Sequence, residues 1–328
     1  MSVQWQLLDD VALREVFKSL DPSTLQRCRR VCLAWNNEIQ RLNKSTRKFH
    51  PKSIMMELDG TGFRLYLGSP KSPKPFEDSS VSSTTVHRVL THVAPPETLS
   101  VLFKEHVDDE IITEVTDGIS SQWCSGVQQL EIVTYSGSNL PNILSTLGKF
   151  NSVSTISLSH FSNVDISCAE VFKQLPELRY LRIFAFNGNS STGISSGLVF
   201  DEAAVEELLR NQNGFRRIQS VEFYNTDVRI SMDTMVDTLL RLARLPVHPE
   251  VLQKPLFPEN CEEATSVHLL FENCLWESIK EHELLTEIMR ISSETVFPTR
   301  QSPEEPLLKG AFRFRILDTQ FVLKFMTR

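Results

Sequence analysis

Apolar residues recur along this chain first with a helical period and then with a strand period. Near the N-terminus Leu13, Val16, Phe17 and Leu20 fall at i, i+3, i+4 and i+7, one face of a helix. Asp21-Pro22-Ser23 ends that helix and begins another, because proline fits a first helical turn and disrupts an interior one. A second apolar face runs through Leu25, Cys28, Val31, Cys32 and Trp35. Short helical pieces in so small a stretch cannot bury a Trp, a Phe and these aliphatics among themselves. The surplus apolar surface is what a docking module would present.

Beyond a polar, basic exit the period changes to two. Residues 53–59 (SIMMELD) and 63–67 (FRLYL), joined through Gly60-Thr61-Gly62, predict a β-hairpin. The stretch 68–85 is rich in Ser and Pro and is expected to be a mobile loop. Short alternating strands then recur at 99–103, 130–134, 156–160, 181–184, 221–224 and 267–271. Aligned on their first inward residue they are spaced by 31, 26, 25, 40 and 46 residues. Helical faces lie between them. Ile112, Val115 and Ile119 make one; Leu140, Ile143, Leu144 and Leu147 another; Cys168, Val171, Phe172 and Leu175 a third. Ala204, Val205, Leu208 and Leu209 follow, opened by Asp201 and Glu202 where a helix start favours negative charge. Met232, Met235, Val236, Leu239, Leu240 and Ala243 make the cleanest face. Strand–helix units of this length predict an irregular α/β repeat with parallel strands. Residues 311–317 and 320–325 predict a terminal hairpin that caps it.

With helices on one face of such a sheet, alternate strand residues point out from the other. Taking Leu130, Ile156, Leu181, Val221 and Val267 as inward, the first outward row is Glu131, Ser157, Arg182, Glu222 and His268. The next is Val133, Ser159, Phe184, Tyr224 and Leu270. Exposed aromatics on a sheet face are typical contact anchors, so Arg182, Phe184, Glu222, Tyr224 and His268 are the candidate target-binding residues. The competing expectation is that the terminal hairpin or the proline-rich insertion 246–260 folds over and buries them.

The N-terminal stretch resembles an F-box, whose pattern runs Leu-Pro, Leu-x-x-Ile-Phe-x-x-Leu-Asp-Pro, Leu, then Val-Cys-x-x-Trp. Leu8, Leu13, Val16, Phe17, Leu20, Asp21, Pro22, Leu25, Val31, Cys32 and Trp35 match its spacing. Asp9 stands where the family has Pro, a small departure because Asp also starts helices well. The units that follow resemble degenerate leucine-rich repeats, with Asn139, Asn163 and Asn187 near the family's asparagine position. A closed α/β domain of the FTH type is the alternative. The resemblance divides the chain into an all-α F-box over 1–48 and an α/β repeat-like substrate-binding solenoid over 49–328. It implies a non-catalytic substrate receptor of an SCF-type ubiquitin ligase, docking a Skp-family adaptor, and through it a cullin, and holding a target protein. Leu8, Leu13, Val16, Phe17, Leu20, Leu25, Val31, Cys32 and Trp35 would carry the adaptor contact. The other reading is a scaffold whose N-terminal helices only cap the repeats.

Charge sharpens this picture. Residues 1–48 hold nine Lys and Arg against five Asp and Glu, so a +4 head sits on a chain of net charge −7. A basic head suits an acidic partner, and an acidic body argues against nucleic acid. No apolar run approaches the ~20 residues of a membrane span, and the N-terminus lacks the order of a signal peptide. Six scattered cysteines without framework spacing suggest reduced thiols in cytosol or nucleus. Cys28 and Cys32, four residues apart, are expected to be buried. Candidate chemistry fails at single positions, so no cofactor, metal or catalytic group is expected. The phosphate-loop spacing at 188–195 has Ile194 where lysine must stand, and His282-Glu283 starts a zinc-protease helix that ends in Thr286 instead of a second His.

Overall fold

The structure is a computed structural model. It describes residues 15–17, 19–20, 22–45, 50–59, 62–67, 76–78, 83–91, 93–104, 107–135, 140–160, 165–185, 197–253, 266–272, 274–276, 279, 281–296 and 310–326. After helical residues 15–17, the head has α1 (Pro22–Cys28) and α2 (Leu33–Ser45). Next come β1 (Ser53–Asp59), β2 (Gly62–Leu67), β3 (Phe76–Asp78), α3 (Ser83–Leu90) and β4 (Thr98–Phe103). Helices α4 (Asp109–Gly118) and α5 (Ser121–Cys124) lead to β5 (Gln129–Thr134), and α6 (Leu140–Thr146) to β6 (Thr155–His160). From here each unit gains a short second strand. The first runs β7 (Ile166–Ser167), α7 (Ala169–Gln174), β8 (Tyr180–Ala185); the next β9 (Leu198–Asp201), α8 (Glu202–Asn211), β10 (Ser220–Tyr224). Then follow β11 (Asp227–Arg229), α9 (Met232–Arg244), α10 (Pro249–Gln253) and β12 (Val267–Glu272). The chain continues through β13 (Leu275–Trp276), α11 (Glu281–Ile291), β14 (Glu294–Val296), β15 (Gly310–Ile316) and β16 (Thr319–Met326).

These elements make a mixed α/β structure around one large, mostly parallel sheet. Its twelve strands lie in the order β14-β15-β16-β12-β10-β8-β6-β5-β4-β1-β2-β3, and every pair from β16 to β1 is parallel. A second, parallel sheet of four short strands runs β13-β11-β9-β7. The alternation seen in the sequence is an apolar row in space. Ile54, Leu99, Leu130, Ile156, Leu181, Val221, Leu269 and Leu323 stand abreast across eight strands, none more than 6% exposed. Burying each such side chain contributes roughly 1.5–3 kcal/mol. Where the two sheets meet, the contact is aromatic. Phe200 of β9 lies 4.9 Å from Phe223 of β10, and Trp276 of β13 lies 4.8 Å from Phe271 of β12.

The predicted helices form on the expected faces, and their caps explain where they start. Asp201 accepts a hydrogen bond from the Ala204 N–H at 2.9 Å, and Ser231 from the Thr234 N–H at 3.1 Å. Arg241 and Arg244 fill the last turn of α9, where a helix end favours positive charge.

Several expectations need correcting. Of the stretch 68–85, Phe76–Asp78 is a strand paired with β2 and α3 begins at Ser83; its other residues lie outside those described, as do Asn139, Asn163, Asn187 and the loop 188–195. The terminal hairpin lies in the plane of the sheet, because β16 pairs with β12 along its length. Val221 stands beside Leu269, so the offset to β12 is two residues greater than predicted, and Val267 pairs instead with Phe321. A two-residue slip keeps every side chain on its face, so alternation alone does not detect it. Cys28 ends α1 and Cys32 precedes α2; the first is partly buried and the second exposed, because a turn at 29–32 separates the two helices.

Candidate functional site

Two surfaces gather the candidate residues. The first is the head, whose small core holds Phe17 and Ile39, with Leu20, Leu25, Cys28 and Trp35 packed against it. The Trp35 ring meets Phe17 edge-on with centroids 5.3 Å apart. None of these residues belongs to the apolar cluster of the sheet, which runs from Ile54 to Leu323. Short helices arranged around two large rings leave other apolar side chains outside. Val16 is 49% exposed, Val31 62% and Leu33 76%, with Cys32 exposed between the last two. Of the predicted adaptor contacts, then, Val16, Val31 and Cys32 are at the surface. Leu20, Leu25 and Trp35 are partly buried, Phe17 is a core residue at 2% exposure, and Leu8 and Leu13 lie outside the described residues. Phe17 therefore supports the head from inside. Leu33, which the sequence pattern missed, is the most exposed of the group.

The second surface is the sheet face that the helices leave open. Its middle row reads Ser100, Glu131, Ser157, Arg182, Glu222, Leu270 and Lys324. One edge of this row is Leu102, Val133, Ser159, Phe184, Tyr224 and Glu272; the other includes Thr155, Tyr180, Ser220 and His268. His268 thus stands level with Ser220 and Tyr180, one row from Glu222, and Leu270 takes the place predicted for it. This corrects His268 as a neighbour of Arg182 and Glu222; the cause is the two-residue offset of β12.

A polar-aromatic cluster occupies the middle of this face. Arg182 Nε donates to the Glu222 carboxylate at 2.8 Å, and the Tyr224 hydroxyl donates to the same oxygen at 3.0 Å. The Arg182 guanidinium lies 5.6 Å from the Tyr180 ring and 5.9 Å from the Tyr224 ring, within cation–π range. Phe184 and Tyr224 are 5.7 Å apart, tilted by 32°. Burial, with the Glu222 charge beside it, pushes the Tyr224 hydroxyl up to about 12 and Tyr180 higher still, so both stay protonated donors. Burial pulls Arg182 down, but Glu222 outweighs it and the guanidinium is raised overall. The Arg182 side chain is 46% exposed, and an ion pair that open contributes little stability. The neighbouring carboxylates Glu131 and Glu272 have no ion-pair partner among the described residues, although Glu131 accepts from the Ser100 hydroxyl at 2.8 Å. Tyr180 was missed because the outward rows were counted from the first inward residue of each strand, and it precedes Leu181.

Among the described residues no group of three or more His, Cys, Asp or Glu could hold a metal ion, and no helix is long and apolar enough to cross a membrane. At His282, the start of the near-miss zinc motif, Thr286 turns its hydroxyl back onto the helix carbonyl of His282 at 2.8 Å.

Comparison with known families matches residues 5–46 to the F-box domain. The match ends before β1, so it covers the head and none of the sheet. No curated protein matches the chain.

Proposed function

We infer from the F-box domain at residues 5–46 that this chain is the substrate-receptor subunit of an SCF-type cullin-RING ubiquitin ligase. The head docks a Skp-family adaptor and through it a cullin. The body, a repeat-like array, holds a target protein near a ubiquitin-loaded partner and so marks it for degradation. The chain acts by raising the target's effective concentration at a remote catalytic centre, in cytosol or nucleus. The observation that carries this reading is the family match, supported by the exposed Val16, Val31 and Leu33 on the same head. A head that merely capped the body would be expected to merge its apolar residues with those of the sheet, and among the described residues the two sets form separate clusters.

The test is co-expression of the full chain with a Skp-family adaptor and size-exclusion chromatography beside a Val31→Asp/Leu33→Asp variant. Burying two such side chains contributes ~3–6 kcal/mol, or roughly 10²–10⁴ in affinity. Both are surface residues, so the variant keeps its fold. A one-to-one complex lost in the variant supports the assignment; a chain that ignores the adaptor, or a variant that still binds it, overturns it.

The target is taken up on the open sheet face around Arg182, Phe184, Glu222 and Tyr224. The terminal hairpin extends the sheet edge-on and leaves this face clear of itself, which favours the reading. Glu131 and Glu272, neither of them in an ion pair among the described residues, flank the aromatics across four strand spacings, about 19 Å at ~4.8 Å each. A target segment with cationic side chains suits them better than a phosphorylated one.

A further inference from the structure

Opposite the strands, α8 and α9 enclose a cleft of about 860 Å³. The two helices run parallel, since each follows a strand of the same parallel pair, Phe200 beside Val228. Their N-terminal ends are tied together where the Glu202 carboxylate accepts from the Ser231 N–H at 2.8 Å. The floor of the cleft is apolar, from Val205, Leu209 and Leu245. Its charges are sorted by sign. Glu202 and Asp233 line the end nearest the helix starts, Glu206 and Asp237 the middle, and Arg210, Arg241 and Arg244 the other end. At 1.5 Å per residue the outermost charges, Glu202 and Asp233 against Arg210 and Arg244, stand about 12–16 Å apart along the helix axes, with Glu206 and Asp237 between them. Arg210 is engaged by Glu207 and Arg241 by Asp237, whereas Glu206 and Arg244 have no ion-pair partner among the described residues.

We propose that this cleft is a docking site for a two- to three-turn amphipathic helix of a partner protein, lying antiparallel to α8 and α9. An extended segment would find no sheet edge here to satisfy its backbone; a helix satisfies its own and needs only an apolar stripe for the floor. Direction follows from charge. A helix is most stable with carboxylates in its first turn and cations in its last. Laid antiparallel, it sets those cations against the acidic end of the cleft and those carboxylates against the three arginines. Laid parallel, the same helix meets like charge at both ends. The occupant is therefore an ordinary amphipathic helix, selected by direction and by the sign order of its ends. The inference does not depend on the ligase reading, because neither the head nor the open sheet face takes part in it.

The probe is a fluorescein-labelled helical peptide of about three turns with Glu in the first turn, a Leu stripe at i, i+3, i+4 and i+7, and Lys in the last turn. Its control has Glu and Lys exchanged. Anisotropy titrations use the full chain, the surface variant Arg241→Glu/Arg244→Glu, and Leu209→Glu. The expected result is at least tenfold tighter binding of the first peptide, loss of that preference in the double variant, and loss of both peptides in Leu209→Glu. Circular dichroism checks that each variant keeps its helix content. Equal affinity for the two peptides, no binding of either, or a preference that survives the double variant overturns the proposal. Peptide-blocked, concentration-dependent dimerisation would also overturn it, by placing a second copy of this chain in the cleft.

Discussion

Lowering the pH from 7 to 5 offers a proton to a group that folding keeps neutral. His160, at the end of β6, is 1% exposed. Its Nε2 accepts from the Leu198 N–H at 3.2 Å, so the ring proton sits on Nδ1, which is buried without a hydrogen-bond partner among the described residues. Gly197 presses on the same ring with a φ of +139°, leaving no room for a shell of water. Burial drives the imidazole down to about 4 from an ordinary 6.5. The unfolded chain therefore binds more protons than the folded one between pH 6.5 and 4, and stability falls as pH falls through that window. At pH 5 the loss relative to pH 7 is about 2 kcal/mol, and over the whole window about 3 kcal/mol. Urea unfolding followed by circular dichroism at the two pH values reads it, beside His160→Gln, whose amide oxygen still accepts from Leu198 but does not titrate. Carboxylates held below their ordinary range, such as Glu57 and Glu202, titrate alike in both proteins and cancel. The wild-type chain should lose about 2 kcal/mol more than the variant. Equal losses in the two would refute the reasoning.

Other consequences are as direct. Gly197→Ala places a Cβ 2.5 Å from His160 Cε1 at a φ that L-residues avoid, and should destabilise the body by ~1–3 kcal/mol in the same unfolding assay. Phe17→Ala removes the main ring of the head core and should cost ~3–5 kcal/mol. Helical signal from the head and adaptor binding should then fall together, which separates it from Leu33→Asp, where binding alone falls. Arg182→Ala breaks a half-exposed ion pair and should change stability by less than ~1 kcal/mol, while a target captured on the open face should weaken at least tenfold. A melting temperature lowered by many degrees would make Arg182 structural instead.

The sequence made the faces of this molecule legible and left much of their depth and register hidden. Alternation at Leu130, Ile156, Leu181 and Val221 picked out the buried face because one face of each strand packs under helices. It could not distinguish Val267 from Leu269 as the partner of Val221, since both point the same way. The second sheet went unread because its strands have two to four residues, too few for any period to show. In the head, the helical spacing of Phe17 and Val16 marked both as apolar. Only packing decides that one fills the core and the other faces out. The Arg182–Glu222 pair was within reach, because both were placed in one outward row. The cleft between α8 and α9 was not, because the residues that line it lie on two helices brought together by strand pairing elsewhere.

The strand order bears finally on how the molecule avoids its own kind. A sheet whose ends are not joined has two borders, and a long exposed border is a template on which another chain can crystallise into ribbon. Among the described residues the two borders are Phe76–Asp78 at one side and Glu294–Val296 at the other, three strand residues each. The eight-residue β16 lies two places in from its border, behind β15. Glu294 puts a carboxylate on one border strand, with the Arg315 guanidinium of the neighbouring strand 3.8 Å away. Lengthening either border strand is the change that would open this sheet to edge-to-edge pairing with a second copy.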